Sequence, residues 1–561
     1  MGFNDKLQEY KIEDMFTRKP LINYLWSDYV MHSVDQFGCG KSVACIGTLR
    51  RPITDGEKLV YIKENGKFYA ANRNFNREKF DCFYTIVGLG YHRIVSEYNG
   101  IRVETTLTVP QKGYVECTNI SITNVCNKER EFDLYFYCKP YVNTSVHTSY
   151  SRADFNDKWS GLLYTHNGYK LEHPYNTVFI KSDKQIKGYS VTDAAFIGRY
   201  NKSDNPQSLH NEELNSEGAT FDDYFCGALQ FSLRLAAGET QNINIAVAVG
   251  KDEEAAVSAA NLVCSQKAYE ECLLYQKDLH AIYNAKFTVH SPDEDLNRAV
   301  NIWLKRQISF GKTWGRGYGK GFRDVMQDCQ GFVSLDIGVA RERILHALGY
   351  QFDNGNTIRQ YEPDFDEPYM DGAAWIPATI SAYLKESGDF SILNEVVPYY
   401  RSNKSDTVLA HMQNGLNFLI THTGEHGLVL WGGGDWNDSL NGCGVRGTGE
   451  SVWLSMATVK AINEYEEIAE RLSLDMTELS TARARLTECI MKFGLEGDRF
   501  IYGFNDNGDK IGSKDSAQAK IYLNPQTWSL LSGIADKTLA NKLFATVNNE
   551  LRCKFGYKQC N

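Results

Sequence analysis

The sequence predicts a protein with an N-terminal antiparallel β-sandwich, a linking helix and a C-terminal α/α barrel. Hydrophobic residues alternate with a period of two before residue 250, whereas after residue 292 they recur with helical spacing. The chain of 561 residues is also long for a single hydrophobic core. We therefore expect a β-sandwich domain at 1–250, a helical linker at 251–292 and an α/α barrel domain at 293–561.

The first 250 residues carry the pattern of half-buried strands. Between Ile101 and Val109, apolar side chains and one threonine alternate with charged or hydroxylated ones, and residues 241–249 place four aliphatic side chains on one face. Gly, Asn and Asp turns separate further β-rich runs such as Phe132–Val142. No convincing helix is found before residue 251, so we expect many antiparallel strands packed as a sandwich.

The hydrophobic spacing changes after residue 250. The stretch from Asp252 to Tyr283 lacks Gly and Pro and is rich in Ala, Glu, Leu and Lys, which predicts one long linking helix. After Ser291-Pro292, the following apolar residues form a single helical stripe: Leu296, Val300, Trp303, Leu304 and Ile308. Further helical segments are predicted near 334–349, 372–387, 406–422, 451–472 and 478–493. Long loops rich in Gly and Asp separate them, as in an α/α toroid whose loops line a central pocket.

The loop at 430–441 has a composition suited to ligand binding. Three consecutive glycines are followed by Asp435, Trp436, Asn437 and Asp438. Glycine allows close backbone approach to a ligand, an indole can stack on the C–H face of a sugar, and carboxylates or amides can bind hydroxyl groups. A turn with a structural tryptophan fits the same composition, so the residues alone leave both interpretations open.

Two further loops are rich in glycine or in carboxylates. Trp314–Asp324 carries alternating glycines at 315–321 that suggest a dinucleotide site, but a helix precedes the loop instead of a strand, so such a site is not expected. Arg323 and Asp324 at its end either hold sugar hydroxyls or form a surface pair. Gln360–Asp371 carries five carboxylates whose spacing matches no calcium loop, and a solvated acidic loop is the alternative to metal binding.

Composition and charge exclude several classes of function. A net charge of −10 and a pI near 5.7 argue against nucleic-acid binding, which needs clustered positive charge. The sequence has no run of about 18 apolar residues, and its first residues lack the apolar segment of a secretory signal. The 14 cysteines are scattered without metal-binding spacing, so we expect reduced thiols in a cytoplasmic protein without a metal site.

A set of motifs, taken together, carries more information than any one loop. In chain order they are Pro20–Leu25, Gly88–Tyr91, Gly321-Phe322-Arg323-Asp324-x-x-Gln327-Asp328, Gln360-Tyr361, Asp371-x-x-x-Trp375, Lys385–Asp389 and Asp435-Trp436-Asn437-Asp438-x-Leu440-Asn441. These motifs resemble the family of inverting glycoside phosphorylases that contains cellobiose phosphorylase and chitobiose phosphorylase. The resemblance covers essentially the whole chain, and the order and context of the motifs make it specific.

The resemblance implies a fold and a reaction. The family combines a β-sandwich with an (α/α)6-type barrel, and it cleaves a β-glycosidic bond by attack of inorganic phosphate, with inversion. The implied function is phosphorolysis of a β-linked gluco-disaccharide or oligosaccharide to α-sugar 1-phosphate, with phosphate as co-substrate and no cofactor. Because phosphate is already anionic, this reaction needs a general acid but not the second carboxylate that an inverting hydrolase uses as base.

The resemblance also assigns roles to residues. The last Asp of the Asp-Trp-Asn-Asp motif is the family's general acid and corresponds to Asp438. Arg323 and Asp324 should contact the sugar whose anomeric carbon reacts, and Trp436 should stack on that sugar or form a wall of the pocket. Arg316 is the counterpart of a further sugar-binding Arg, although its spacing to the Arg-Asp pair differs from the family's. The remaining candidates for substrate binding are Gln360, Tyr361, Asp371, Trp375, Asp435 and Asn437.

Two other functions stay open at this point: an inverting glycoside hydrolase on the same scaffold, and a degenerate relative that binds carbohydrate without turnover. The expected ligands are a β-linked oligosaccharide and phosphate, and the resemblance implies a homodimer. Relatives in the family are longer, so we expect a barrel that is incomplete at its C-terminus. Either a separate C-terminal polypeptide completes the barrel or the gene is incomplete, and the isolated chain would have little activity.

Overall fold

The structure, a computed structural model, describes residues 2–4, 8–75, 79–142, 151–166, 175–220, 224–316 and 319–561. The chain separates into two units, Met1–Val289 and His290–Asn561. Each unit has its own large cluster of buried apolar side chains. The helical segment that follows residue 251 belongs to the first unit.

The first unit is built from antiparallel strands. In chain order these are β1 (Gly2–Asn4), β2 (Glu9–Ile12), β3 (Asn23–Trp26), β4 (Val30–Val34), β5 (Gly40–Ile46), β6 (Leu49–Glu64), β7 (Lys67–Ala70), β8 (Cys82–Val87), β9 (Tyr91–Tyr98), β10 (Ile101–Thr108), β11 (Val115–Asn124), β12 (Arg130–Pro140), β13 (Ser151–Asn156), β14 (Gly161–His166), β15 (Thr177–Ser182), β16 (Gly188–Thr192), β17 (Ala219–Thr220), β18 (Phe225–Leu235) and β19 (Thr240–Gly250). One sheet has the order β1-β2-β8-β9-β10-β11-β19-β15-β14-β13-β17. The other has the order β16-β18-β12-β6-β5-β4-β3, with β7 paired to β6.

The register of β10 shows how the alternating sequence pattern becomes a core. Val103 lies opposite Ile122 on β11, and Thr105 lies opposite Ile120, so one face of this strand pair is rich in aliphatic side chains. These aliphatic side chains belong to the same buried cluster as Leu134 on β12 of the other sheet. Apolar burial between the two sheets stabilises both, and the predicted N-terminal sandwich is confirmed.

One short helix interrupts the strands of the first unit. Helix α1 (Asp193–Phe196) places the ring of Phe196 against Tyr61 and Tyr137, with ring centroids 6.0 and 5.2 Å apart. It is followed by a 3-10 turn at Gln207–His210. The prediction that no helix precedes residue 251 is therefore wrong at α1, because a single turn is too short to show helical periodicity.

The segment after the last strand of the sandwich is also helical. It forms two helices, α2 (Glu253–Asn261) and α3 (Gln266–Asn284), instead of the one long helix that was predicted. The chain breaks between them because Ser265 starts a new helix, its side chain accepting a hydrogen bond from the backbone N–H of Ala268. Both helices pack on the outer face of the first sheet.

The second unit is mainly helical. Its helices are α4 (Glu294–Arg298), α5 (Lys305–Trp314), α6 (Phe322–Phe332), α7 (Ile337–Leu348), α8 (Gly372–Ser387), α9 (Val408–Thr421), α10 (Val452–Leu472), α11 (Thr477–Cys489), α12 (Leu523–Leu531) and α13 (Lys537–Glu550). Short turns of π or 3-10 helix lie at Ala299–Leu304, Phe390–Asn394, Asp438–Leu440 and Ile490–Gly494. Short strands are β20 (Lys320–Gly321), β21 (Gln360–Tyr361), β22 (Val396–Pro398), β23 (Ser405–Thr407), β24 (Glu450–Ser451), β25 (Gly503–Phe504), β26 (Lys510–Ile511), β27 (Arg552–Cys553) and β28 (Gly556–Tyr557).

Helices α8 and α10 form the centre of the second unit. They pack against each other and bury Ile376, Ile380, Trp453 and Met456 in one core. Neighbouring helices pack in pairs around them: α6 with α7 and α8, α8 with α9, α10 with α11 and α12, and α12 with α13. Helix packed on helix, with loops between, is the arrangement that the sequence predicted for this half, and the helical C-terminal domain is confirmed.

Some of these helices were visible in the sequence and others were not. The five segments predicted after residue 334 coincide with α7 to α11. Helix α6 was missed because it starts inside a glycine-rich stretch, and α12 because it contains Pro525 near its start, where proline is tolerated. In the described ranges no helix is long and apolar enough to cross a bilayer. Over the same ranges, His, Cys, Asp and Glu side chains form no group of three that could hold a metal ion.

Candidate active site

A small cavity lies at the N-terminal end of α6. Its volume is about 140 Å³, which is room for about four or five water molecules. It is lined by Gly319, Gly321, Phe322, Arg323, Asp324, Thr357, Ile358, Arg359, Gln360, Tyr369, Asp371, Gly372 and Asp438. A larger depression of about 880 Å³ lies on the sandwich beside Asp193 and Tyr200, but none of the residues predicted for the site borders it.

Asp438 lines the cavity from the short turn Asp438–Leu440. Asn437 stabilises this turn, because its side-chain oxygen accepts hydrogen bonds from the backbone N–H and the hydroxyl group of Ser439, at 3.2 and 2.7 Å. The Asp438 side chain is 64% exposed. Its Oδ1 accepts a hydrogen bond from Nη2 of Arg323 at 2.7 Å. An exposed carboxyl group at a cavity can reach a ligand and exchange a proton with it.

Arg323 connects three parts of the site. From the first turn of α6, its Nη2 reaches Asp438, while Nη1 donates to the backbone oxygen of Asp435 at 2.6 Å and lies 3.5 Å from Oδ2 of Asp371. Burial alone would lower the pKa of Arg323, but the carboxylates of Asp371 and Asp438 have the larger, opposite effect. The pKa of Arg323 is therefore raised above its usual value. Arg323 is therefore a fixed cation that holds the two carboxylate-bearing loops against α6.

Asp371 supplies a buried acceptor to the wall of the cavity. It is fully buried, and its Oδ2 accepts a hydrogen bond from Nε1 of Trp375, one helical turn further along, at 3.0 Å. Burial raises the pKa of Asp371, against the opposing effect of Arg323. Its Oδ1 has no hydrogen-bond partner among the described residues. A buried oxygen of this kind is suited to accept a hydrogen bond from a hydroxyl group of a ligand.

Asp435 is fully buried behind the cavity and fixes the loop that carries Asp438. Its carboxyl group accepts hydrogen bonds from the backbone N–H of Asn437, the hydroxyl of Ser451 and the hydroxyl of Tyr502, at 2.9, 2.7 and 3.0 Å. Burial raises the pKa of Asp435 to about 7, although these hydrogen bonds favour the charged form. The side chain does not line the cavity, so the structure separates it from the residues that could touch a ligand.

Aromatic and amide side chains of the same motifs contact other parts of the second unit. The Trp436 ring is 6.4 Å from that of Trp453, and Trp375 packs edge-on against Trp528 at 5.5 Å. Asn437 is buried. None of these motif residues lines this cavity, and the prediction that Trp436 stacks on the sugar or walls the pocket stays a prediction. Their packing supports the loop and the helix that carry Asp438 and Asp371.

Arg316 and Asp324 form an ion pair, with 3.3 Å between Nη1 and Oδ1. Arg316 also donates through Nη2 to Asp328 at 3.1 Å. Of the pair, only Asp324 lines the cavity, where burial raises the pKa of its carboxyl group and Arg316 opposes this. The structure therefore places Arg316 one contact away from the cavity, and the next residues, 317 and 318, lie outside the described ranges.

Gln360 and Tyr361 are adjacent in β21 but face different surroundings. Gln360 lines the cavity, whereas the ring of Tyr361 is buried and stacks on Tyr350 with 4.1 Å between the centroids. This difference follows from the strand, in which consecutive side chains point to opposite faces. The two residues were predicted together from one motif, and the structure brings only Gln360 to the cavity.

Five residues that line the cavity were not singled out in the sequence: Thr357, Ile358, Arg359, Tyr369 and Gly372. Tyr369 lies within the carboxylate-rich loop, whose composition suggests a metal site or a solvated loop and does not point to an aromatic residue. Arg359 directly precedes the Gln360-Tyr361 motif and gives no signal of its own. Its position became visible only in the structure, where its backbone oxygen accepts a hydrogen bond from the N–H of Phe322 at 3.1 Å.

Comparison with known proteins supports the likeness that the motifs indicated. Residues 8–265 match the supersandwich domain of glycosyl hydrolase 94, and residues 280–559 match the catalytic domain of the glycosyl hydrolase 94 superfamily. The chain is 30% identical over 574 residues to solabiose phosphorylase from Paenibacillus borealis, covering 99% of this chain and 74% of that protein. It is 28% identical to 3-O-beta-D-glucopyranosyl-beta-D-glucuronide phosphorylase of the same organism, covering 98% and 73% of the two chains. It is also 25% identical to N,N'-diacetylchitobiose phosphorylase from Vibrio furnissii, covering 89% and 68%.

A solved structure shares the fold at low sequence identity. A bacterial glucoamylase complexed with acarbose has a TM-score of 0.59 and 9% identity, covering 99% of this chain and 84% of that one. At this identity the likeness concerns the fold alone. The two family matches together span nearly all of the sequence, and the match to solabiose phosphorylase extends over both units. The chain belongs to the glycosyl hydrolase 94 family, and the sequence resemblance to its phosphorylases is confirmed.

Proposed function

We propose that this chain is an inverting glycoside phosphorylase, which transfers a glycosyl group from a β-linked gluco-disaccharide or oligosaccharide to inorganic phosphate. Membership in glycosyl hydrolase 94 and the phosphorylase names of its relatives support this proposal. The observation that carries it at the site is the contact of Asp438 with Arg323 at a cavity lined by further carboxyl groups. An acid and a hydroxyl-binding pocket are the elements that the reaction needs.

In the proposed reaction, a phosphate oxygen forms a bond to the anomeric carbon while the bond from that carbon to the glycosidic oxygen breaks. Asp438 gives its proton to the departing oxygen, so the leaving sugar departs as a neutral alcohol. Attack from the opposite face converts the β-linkage into α-sugar 1-phosphate. Phosphate brings its own negative charge, so no residue has to deprotonate the nucleophile.

The ion pair between Asp438 and Arg323 sets a requirement for this mechanism. A general acid must reach the glycosidic oxygen, whereas Oδ1 of Asp438 is engaged by Nη2 of Arg323 at 2.7 Å. We infer that a bound sugar separates the two, with its hydroxyl groups taking over the N–H donors of Arg323. Because Asp438 is exposed, it can rotate away from Arg323, and the buried Arg323 cation keeps Asp371 beside it.

The other predicted residues divide into two groups in this proposal. Those that line the cavity would bind hydroxyl groups of the reacting sugar: Arg323, Asp324, Gln360 and Asp371. Those behind it would position the first group: Arg316 through Asp324, Trp375 through Asp371, Asp435 and Asn437 through the Asp438 loop, and Trp436 and Tyr361 through packing. The unpartnered Oδ1 of Asp371 is the best placed acceptor for a sugar hydroxyl.

The test is an assay of the full chain against a panel of β-linked gluco-disaccharides, each with and without phosphate. We expect α-sugar 1-phosphate to form only when phosphate is present, with the anomeric configuration read by nuclear magnetic resonance. Release of free sugar without phosphate would identify a hydrolase instead. Disaccharide binding without any product would identify a carbohydrate-binding relative.

Location and assembly belong to the same proposal. No disulfide bond joins any of the 14 cysteines, all of which lie in the described part of the chain, and this is consistent with a reducing compartment such as the cytoplasm. A homodimer stays a prediction from the resemblance to the family. Light scattering of the purified chain measures the assembly directly, and a mass of one chain over a range of concentrations would reject the dimer.

A further inference from the structure

Arg359 is a cation that lines the cavity without a carboxylate partner. The other two arginines of the site are neutralised: Arg323 lies beside Asp371 and Asp438, and Arg316 beside Asp324 and Asp328. The Arg359 side chain forms no ion pair and no hydrogen bond in the described part of the chain. The side chain is half-buried, so the remaining contact with water limits the cost of burying its charge. It also lines the cavity.

Aromatic rings hold the Arg359 guanidinium in place. Its central carbon lies 4.5 Å from the ring centroid of Tyr369 and 5.1 Å from that of Phe365. Arg323 lies over the same Tyr369 ring at 5.3 Å. Contacts with ring faces orient a planar guanidinium but use none of its five N–H donors, which stay available at its edge.

The backbone around Arg359 is fixed as well. Its carbonyl oxygen accepts a hydrogen bond from the N–H of Phe322, the first residue of α6, at 3.1 Å. This bond ties Arg359 to the helix that carries Arg323, the neighbour of Asp438. The guanidinium is therefore preorganised at the cavity and does not sample many positions, which lowers the entropy cost of binding a ligand.

We propose that Arg359 binds an oxyanion in this cavity, either the phosphate ion or the carboxylate of an acidic sugar. This inference rests on the proposed function. It assigns to the Arg359 guanidinium the recognition of a negatively charged ligand of the phosphorylase. Planar N–H pairs match the oxygen geometry of phosphate and carboxylate, and bonds between charged partners are the stronger ones. An uncharged sugar would leave the N–H donors of Arg359 without an anionic partner.

The experiment measures binding to the full chain by calorimetry, with inorganic phosphate, D-glucuronate and D-glucose as separate probes. Arg359→Met removes the charge and keeps a chain of similar length. Arg471→Met is the matched control, since Arg471 also lies over an aromatic ring, Phe390, at 4.9 Å, but does not line the cavity. Arg359→Lys keeps the charge without the planar N–H pair, and it serves if the methionine variant does not fold.

We expect Arg359→Met to weaken binding of at least one anion about tenfold or more, with D-glucose within about twofold of the unmodified chain. If only phosphate binds Arg359→Met more weakly, Arg359 binds the phosphate co-substrate. If only D-glucuronate binds more weakly, Arg359 binds the carboxylate of an acidic sugar. Arg359→Lys should bind that anion with intermediate affinity, and Arg471→Met should match the unmodified chain.

The inference is overturned if the unmodified chain binds neither anion, if both anions bind Arg359→Met as before, or if D-glucose is weakened as much as the anions. None of these readings depends on turnover. A chain whose anion binding needs Arg359 but which releases no sugar 1-phosphate would reject only the proposed function.

Discussion

At the scale of single residues, the site is organised by Arg323. Its guanidinium contacts an exposed carboxylate in Asp438, a buried one in Asp371 and a backbone oxygen of Asp435. The two carboxylates differ in surroundings, and this difference separates their roles. Asp438 can move and exchange protons with a ligand, whereas Asp371 is held and can only accept hydrogen bonds.

Replacing the proposed acid should abolish turnover while leaving the site intact. Asp438→Asn removes the proton donor from an exposed position, so we expect phosphorolysis to fall by about 10²- to 10⁴-fold with little change in thermal stability. Asp515→Asn, at another exposed aspartate, is the control and should keep full activity. If the Asp438 variant retains more than about a tenth of the rate, the acid is a different residue.

The hydrogen bond from Trp375 to Asp371 should matter for both stability and sugar binding. Trp375→Phe keeps an aromatic ring but leaves the buried Oδ2 of Asp371 with only Arg323 at 3.5 Å. We expect a loss of about 1–3 kcal/mol in the free energy of unfolding and a higher KM for the disaccharide. Trp528→Phe, in the ring that packs against Trp375, is the control. An equal change in KM for both variants would mean that packing alone matters.

At the scale of secondary-structure elements, the catalytic loop depends on a buried anchor. Ser451 stands at the start of α10 and Tyr502 next to β25, and both donate to Asp435, three residues before Asp438. The position of the loop is therefore fixed by hydrogen bonds from a helix start and a strand flank that lie 16 and 67 residues further along the chain. Sequence motifs named Asp435 but gave no sign of either partner, because hydrogen bonds over such separations have no local pattern.

The buried anchor should also make stability depend on pH. The pKa of Asp435 is raised from 3.8 to about 7, so its contribution to stability is fully present below pH 3.8 and is lost as pH rises through 7. Asp435→Asn removes this titration. We expect the variant, relative to the unmodified chain, to gain stability between pH 5 and pH 8 in urea unfolding. The same difference at both pH values would show that Asp435 stays charged throughout.

In the sandwich, two buried histidines should give the opposite pH dependence. Burial, with the nearby Lys58 cation at His32, lowers the pKa of His32 and of His92 from 6.5 to about 3. Their contribution to stability is therefore present above pH 6.5 and is lost as pH falls toward 3. At pH 5 the loss in the free energy of unfolding is about 2 kcal/mol for each histidine. His32→Gln should reduce this loss in urea unfolding of the sandwich, whereas His210→Gln at the surface should not. Glu116, which lies 3.2 Å from Lys58, opposes the shift at His32.

At the scale of the whole molecule, the sequence predicted the fold class and five of the thirteen residues that line the cavity, for different physical reasons. Alternation in β10 reflects burial on one face, which local spacing encodes directly. The stripe at 296–308 is helical as predicted, although Leu296 and Leu304 are exposed. Arg323, Asp371 and Asp438 were found through motifs, without any local signal of their meeting. Arg359 and Tyr369 were missed because a cavity wall is created by packing, and neither residue departs from the composition of its loop.

Helices α2 and α3 belong to the folding unit of the sandwich. Apolar residues of α2 and α3, among them Val257 and Tyr269, share a core with Val115 and Phe179 of the first sheet. Gln276 of α3 donates to the backbone oxygens of Trp26 and Val109 at 3.0 and 3.1 Å.

A fragment of residues 1–289 should therefore unfold cooperatively with a β-type circular dichroism spectrum, since it keeps this core intact. The shorter fragment 1–250 exposes the outer face of the sheet and should be less stable or aggregate. Equal stability of the two fragments would show that the sandwich folds without its helices and would place the boundary at residue 250, where the change in hydrophobic period first suggested it.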